Sequence, residues 1–303
     1  MLRRVKYILE MIRFSHTLFA LPFALLAAVM AWSRGARQEP PVAFRWTDLA
    51  GILCCLVAAR SAAMAFNRLT DHRLDAENPR TRNRHLPTGL LSRGGVAAFA
   101  AAASAAFVAG TLLFLPNRLP LLLALPVLAF LLGYSYAKRF TALAHFWLGA
   151  ALMLAPVSAW IAIRGQFVLQ RPADLLPAIV LGGAVLLWGA GFDIIYACQD
   201  AEFDREHKLA SVPARWDIAG ALRIAALCHA GMVGLLALLP LVYNQFGWLY
   251  GTGVAAVAAL LVYEHSLVRP NDLTRVNRAF FQVNAIVSLG LLLVGSADLA
   301  MRH

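Results

Sequence analysis

Long apolar segments dominate this chain and restrict the folds it can adopt. A helix that crosses the roughly 30 Å hydrocarbon core of a bilayer needs about 20 apolar residues. Nine segments of about that length cover residues 15–32, 48–66, 95–115, 119–137, 144–163, 175–197, 219–241, 247–263 and 279–299. Only 14% of the residues are charged, against about a quarter in soluble domains. We predict an all-α integral membrane protein, a single domain over residues 1–303 with nine transmembrane helices around a central cavity.

The basic residues predict how these helices are oriented. Most of the 27 Lys and Arg residues lie before the first segment or in loops that follow the even-numbered segments. Because cytoplasmic loops are enriched in Lys and Arg, we expect the N-terminus inside and the C-terminus outside a bacterial inner membrane. Loops 67–94 and 198–218 would form a cytoplasmic cap. The net charge of +11 is then explained by basic residues in cytoplasmic loops. The expected partner is therefore the lipid bilayer and not a nucleic acid.

An acidic cluster follows the second apolar segment. Asn67, Asp71 and Asp75 are spaced four residues apart, so on a helix their side chains share one face. Arg60, seven residues before Asn67, shares that face. A carboxylate near a bilayer is costly and needs a partner. Carboxylate and amide oxygens suit Mg²⁺, which is normally bound together with substrate phosphates, so the cluster predicts a cation site.

A second acidic cluster follows the sixth segment. Asp193 and Asp200 are seven residues apart, with Tyr196 between them and Asp204 four residues further on. On one continuous helix all four would share a face. Two facing clusters could hold two Mg²⁺ ions across a diphosphate. Segments two and six run in the same direction and have similar exits, which favours two four-helix repeats plus one helix.

Basic residues beside the clusters suit a bound diphosphate, because Arg makes bidentate phosphate contacts and Lys neutralises phosphate as a point charge. The candidate diphosphate-binding residues are Arg80, Arg82, Arg84, Lys138, Lys208 and Arg215. Three histidines, His145, His229 and His265, have no charged partner at helical spacing, and we expect them to serve in packing.

Together these motifs carry a resemblance. The pattern N-x-x-x-D-x-x-x-D is followed by R-T-x-x-R-x-L-P-x-G, Y-x-x-x-K-R-x-T and D-x-x-Y-x-x-x-D-x-x-x-D. This order resembles the UbiA superfamily of intramembrane prenyltransferases over nearly the whole chain. The segments 199–204 and 211–215 are similar to a bacterial 4-hydroxybenzoate polyprenyltransferase-like branch linked to menaquinone synthesis through futalosine. One departure is Arg68, where many members have Asp directly after the motif Asn.

The resemblance implies a transfer of an isoprenoid chain from polyprenyl diphosphate to an aromatic acid in ubiquinone or menaquinone biosynthesis. The implied Mg²⁺ ligands are Asn67, Asp71, Asp75, Asp200 and Asp204. The implied catalytic residues are Asp71, Asp75, Asp193, Tyr196, Asp200 and Asp204. The candidates for binding the acceptor carboxylate are Arg13, Arg60 and Arg139. Aromatic residues near the same depth could shield an allylic cation, namely Tyr134, Tyr136, Trp188, Phe192 and Tyr196.

Alternatives remain open at this point. The acceptor could be a dihydroxynaphthoate in place of a hydroxybenzoate, because nothing in the sequence distinguishes the two rings. A cation-coupled transporter is the alternative from another class, since intramembrane acids also mark ion pathways. The position of these acids at helix ends, beside Arg-rich loops, disfavours transport. A CDP-alcohol phosphotransferase is disfavoured because the chain lacks a D-G-x-x-A-R motif.

Overall fold

The computed structural model describes residues 7–8, 10–11, 19–36 and 41–301. Within them the regular secondary structure is helical, apart from a single antiparallel bridge between Arg269 and Asp272. Arg13, a predicted acceptor ligand, lies outside the described residues. The long helices are α1 (Leu21–Ala36), α2 (Trp46–Glu77), α3 (Arg93–Gly110), α4 (Leu119–Ala137), α5 (Ala144–Gln170), α6 (Leu176–Ala197), α7 (Val212–Val242), α8 (Trp248–Ser266) and α9 (Asn284–Ala300).

The helices confirm the predicted all-α membrane fold. In the described residues, seven helical stretches are long and apolar enough to cross a bilayer, and α1 is a shorter apolar helix of 16 residues. α8 is a further helix of 19 residues. All nine predicted segments therefore correspond to helices, and the chain is a multi-pass membrane protein.

The described chain divides into two compact units, and the first contains residues 7–8, 10–11 and Trp46–Tyr136. Its α2 packs on α3, where the Cys55 thiol donates to the Phe107 carbonyl oxygen at 3.6 Å. The loop after α2 folds back through a turn in which the Gly89 amide donates to the Leu86 carbonyl oxygen at 3.1 Å. Gly89 has a φ of 75°, a left-handed conformation that glycine adopts without steric cost.

Among the described residues, the second unit contains 19–36, 41–45 and 137–301. At one end of its helices, Arg164 on α5 donates two hydrogen bonds to Asp174 at 2.7 and 2.9 Å. The Trp160 indole donates to the same carboxylate at 3.2 Å. Arg164 is fully buried, and a buried charge of this kind is tolerated when it is paired and hydrogen-bonded. This ion pair fixes the start of α6 against α5.

The two acidic clusters differ in backbone structure. α2 continues to Glu77, so the first cluster lies on a continuous helix as predicted. The prediction of a continuous helix through the second cluster is wrong: α6 ends at Ala197, a 3₁₀ turn covers Cys198–Asp200, and a short helix covers Ala201–Glu206. The Gln199 side-chain amide donates to the Tyr196 carbonyl oxygen at 3.2 Å, which satisfies a carbonyl at the helix end. The prediction of a single domain stays a prediction.

Candidate active site

The first acidic cluster is buried and already hydrogen-bonded. The Asn67 amide donates to Asp71 Oδ2 at 3.0 Å, one helical turn away on α2. Asp71 and Asp75 are 4% and 6% exposed. Because Asn67 orients one carboxylate oxygen of Asp71, the two side chains act as one group of oxygen atoms on a rigid helix.

Asp75 is the centre of an ion-pair group in the same unit. Arg84 donates to Asp75 Oδ1 at 2.6 Å, and Arg68 NH1 lies 3.7 Å from Asp75 Oδ2. The local sequence brings Arg84 back to α2: the Thr81 hydroxyl donates to the Asp75 carbonyl oxygen at 3.0 Å, and consecutive turns span residues 78–84. A loop residue and a helix residue therefore share one carboxylate.

The second acidic cluster is linked to two helices by His145. His145 Nδ1 lies 2.7 Å from Asp193 Oδ2 on α6, and His145 Nε2 accepts from the Val212 amide at 3.3 Å at the start of α7. Because Nε2 accepts, Nδ1 carries the proton and donates to Asp193. The expectation that His145 has only a packing role is wrong, since its charged partner comes from a different helix.

Asp204 lies in a connected group of polar side chains. The Ser211 hydroxyl donates to its carboxylate, and Lys138, Asp200 and His145 all interact with it electrostatically. The Leu209 amide donates to the Asp204 carbonyl oxygen at 2.8 Å. Asp204 is 6% exposed. The structure therefore brings together Lys138, Asp200 and Asp204, three of the predicted site residues.

Aromatic rings pack beside the second cluster. Tyr196 and Phe280 have ring centroids 4.3 Å apart, Phe192 lies 5.4 Å from Phe280, and Trp188 lies 4.8 Å from Phe192. Phe19 contacts Phe192 at 5.6 Å. Three of the five predicted shielding residues are thus in one aromatic cluster, and Phe19 and Phe280 are members that the sequence did not indicate.

The remaining predicted residues lie in different environments. Arg80, Arg82, Arg139, Lys208 and Arg215 are exposed. The Nε atom of Arg60 on α2 is buried and makes no hydrogen bond in the described part of the chain.

The sequence and fold comparisons decide the family. The UbiA prenyltransferase family model matches residues 20–286. The chain belongs to the UbiA prenyltransferase family. A relative, 4-hydroxybenzoate octaprenyltransferase of Nitrosomonas eutropha, is 31% identical over 244 residues, which cover 78% of this chain and 80% of that protein.

Solved UbiA structures have the same fold. An apo UbiA homologue from Aeropyrum pernix is 30% identical with a TM-score of 0.77, over 94% of this chain and 97% of that one. A homologue from Archaeoglobus fulgidus bound to GPP and Mg²⁺ is 20% identical with a TM-score of 0.71, over 97% and 99% of the two chains.

One buried oxygen atom of this UbiA chain is suited to bind a divalent metal. Asp75 Oδ2 is buried and accepts no hydrogen bond from the described residues, so it has capacity for a hard cation. Across the same residues, no group of three or more His, Cys, Asp or Glu side chains is gathered at metal-binding distance. A metal here would complete its shell with phosphate oxygens and water, as Mg²⁺ commonly does.

Two residues of this UbiA site have contacts that sequence reasoning missed. Arg68 was noted only as a departure from the family motif, but it pairs with Asp75, seven residues later on the same helix face. The seven-residue spacing of Arg68 and Asp75 indicates this pairing from the sequence alone, because residues seven apart share a helix face. His145 gave no such signal, because its partner Asp193 is 48 residues away in sequence.

Proposed function

We propose that this protein transfers an isoprenoid chain from polyprenyl diphosphate to an aromatic acid of the 4-hydroxybenzoate type and releases diphosphate. The observation that carries the proposal is the group formed by Asp71, Asp75 and Arg84, where buried oxygen ligands stand beside an arginine at the end of a transmembrane helix. The names of the relatives and the Mg²⁺ and GPP of a structural neighbour support the same chemistry.

Oxygen ligands would hold the metal. We assign this role to Asn67, Asp71 and Asp75 of the first cluster and to Asp200 and Asp204 of the second. When bound, Mg²⁺ supplies Lewis-acid neutralisation of the diphosphate leaving group. Two ions, one from each cluster, would match the charge of a diphosphate.

Basic side chains would add fixed positive charge at the diphosphate oxygens. Arg84 already lies at the first cluster and Lys138 at the second. Arg80, Arg82, Lys208 and Arg215 are exposed and would add further positive charge when the substrate is bound. Charge positioned in advance for a developing anion is commonly the largest catalytic contribution.

The proposed reaction breaks one carbon–oxygen bond and forms one carbon–carbon bond. The allylic C–O bond ionises, and its electron pair leaves with the diphosphate. Aromatic rings of Tyr196 and Phe192 would stabilise the allylic cation through their quadrupoles. The electron-rich acceptor ring then attacks C1 of the isoprenoid, and the ring carbon loses its proton to the released diphosphate, which restores aromaticity. Asp193, held by His145, lies on the helix that carries both rings.

The acceptor carboxylate calls for a buried cation. Arg60 is the strongest of the three candidates, because its Nε is buried without a hydrogen bond within the described residues. Arg139 is exposed, and Arg13 completes the set. A hydroxybenzoate acceptor places the enzyme in ubiquinone biosynthesis, and a dihydroxynaphthoate would place the same chemistry in menaquinone biosynthesis. The bacterial inner membrane would supply the apolar donor and receive the lipid product.

The test is product identification with purified protein. A radiolabelled polyprenyl diphosphate and Mg²⁺ are incubated with hydroxybenzoate and dihydroxynaphthoate acids in separate reactions, and the labelled lipid is identified by mass spectrometry. We expect a C-prenylated hydroxybenzoate and release of diphosphate, both abolished by EDTA and restored by Mg²⁺. If only the naphthoate is prenylated, the acceptor is a dihydroxynaphthoate and not a hydroxybenzoate. Absence of a prenylated product from every acid would refute the proposal.

A further inference from the structure

Arg68 is a buried arginine beside the first acidic cluster, and it has no role in the function proposed above. It is 7% exposed and lies seven residues before Asp75 on α2, about two helical turns, so the two side chains share a face. Arginine stays protonated in proteins, and a charge at this burial requires a counter-ion. Asp75 is a counter-ion that the structure supplies, at 3.7 Å.

Asp75 contacts the two arginines unequally. Its Oδ1 accepts a short hydrogen bond of 2.6 Å from Arg84. The 3.7 Å between Arg68 NH1 and Oδ2 is longer than a hydrogen bond, and Oδ2 accepts none from the described residues. Two guanidinium groups therefore contact one carboxylate, and a metal that takes Asp75 as a ligand would displace them from it.

The charges of the cluster also predict how a metal would bind. Arg68 and Arg84 contribute two positive charges, and Asp71 and Asp75 contribute two negative charges, so the four side chains are formally neutral together. A divalent cation that approaches them alone meets no net negative charge. A diphosphate bound beside them adds the negative charge that attracts a divalent cation, and it gives both arginines a phosphate to contact.

We propose that Arg68 is a further diphosphate-binding residue, held against Asp75 until the substrate arrives, and that it makes metal binding by the first cluster depend on diphosphate. Asp75 exchanges its arginines for the metal, and the arginines turn to phosphate oxygens. This inference rests on the proposed function. Because linkage is reciprocal, the diphosphate strengthens metal binding by the same factor as the metal strengthens diphosphate binding.

Binding measurements on the full-length protein in nanodiscs test the proposal. The probes are Mn²⁺ alone, followed by electron paramagnetic resonance, and geranyl diphosphate in EDTA, followed by calorimetry. For Arg68→Gln we expect Mn²⁺ alone to bind about tenfold more tightly, since a competing cation is gone. We expect geranyl diphosphate without metal to bind about tenfold more weakly or worse, since a charge-assisted contact is lost.

Two further variants separate binding from folding. Arg68→Lys keeps the charge and should keep most of the metal response, while Arg73→Gln removes an exposed charge from the same helix and should leave both affinities within about twofold. Changes of opposite sign for the two probes in Arg68→Gln support the proposal. Weakening of both probes together, or no change in either, would overturn it. If the wild-type protein fails to bind geranyl diphosphate and Mn²⁺ even when the two are supplied together, the proposed function itself fails.

Discussion

His145 connects three elements of the second unit through the two nitrogens of one ring. It donates to Asp193 and accepts from the Val212 amide, and Val212 follows Ser211, which donates to Asp204. The position of Asp193 on α6 is thus tied to the loop that orients Asp204. We infer that His145 is a positioning residue and that its neutral form is the one that maintains both contacts.

This role predicts a specific loss in His145→Ala. The variant leaves the buried Val212 amide without its partner, which costs about 1–3 kcal/mol. It also removes the partner of the partly buried Asp193 carboxylate, 19% exposed, which costs less. We expect a lower free energy of unfolding and a higher KM for polyprenyl diphosphate. His145→Asn retains a donor near the Nδ1 position, so it should recover part of both.

His72→Ala is the matched control for that experiment. The His72 ring lies 3.0 Å from the Leu69 carbonyl oxygen of its own helix, so its removal breaks a local contact. The measurements are denaturant unfolding in micelles and initial rates against substrate concentration. Equal effects of the His145 and His72 substitutions would remove the positioning role.

Close packing of α5 and α6 determines where His145 and Asp193 meet. A side chain at Gly149 would overlap the Leu186 carbonyl oxygen, and one at Gly189 would lie 3.1 Å from Gly149 Cα. Small residues allow transmembrane helices to approach closely in this way. Gly149 lies one turn after His145 on α5, so the helix separation there fixes the 2.7 Å contact between His145 and Asp193.

Gly149→Ala should therefore separate the two helices next to the site. The obstacle is backbone, which cannot rotate away, and overpacking of this kind costs about 1–3 kcal/mol. We expect lower stability and lower kcat together. Gly290→Ala on α9 is the control, because a Cβ there meets nothing within 4 Å, and its unfolding midpoint should stay equal or rise slightly. A neutral Gly149→Ala would show that the contact tolerates separation.

The whole molecule shows which information the sequence carries and which it lacks. Apolar length identified the nine long helices of the described residues, because a bilayer sets both length and composition. The i, i+4 spacing correctly kept Asn67, Asp71 and Asp75 on one helix. The end of α6 at Ala197 could not be predicted from the apolar pattern. It coincides with a hydrogen bond from the Gln199 side chain to the Tyr196 carbonyl oxygen, and the apolar pattern contains no information about such a contact. The contact of His229 Nδ1 with His265 Nε2 at 3.0 Å was missed for the same reason as His145, since such partners depend on helix packing.

Orientation in the membrane is a prediction at this scale. The distribution of Lys and Arg places the N-terminus inside, and nine spans then place the C-terminus outside. We expect alkaline phosphatase fused after His303 to be active in a bacterial host and green fluorescent protein fused there to be dark. The reverse pattern, with a fluorescent and phosphatase-negative C-terminus, would contradict the predicted topology and the cytoplasmic site.

The central claim is that both acidic clusters serve one diphosphate-dependent transfer, and paired substitutions test it most directly. Prenyl transfer to 4-hydroxybenzoate is measured for Asp71→Asn and Asp200→Asn, with Asp272→Asn, an exposed residue in the loop between α8 and α9, as the control. The account predicts that each cluster variant stays folded and loses at least a hundredfold to a thousandfold in rate, about the loss seen when an electrostatic contact to a transition state is removed. The control should retain full rate. Full activity in either cluster variant would contradict the account.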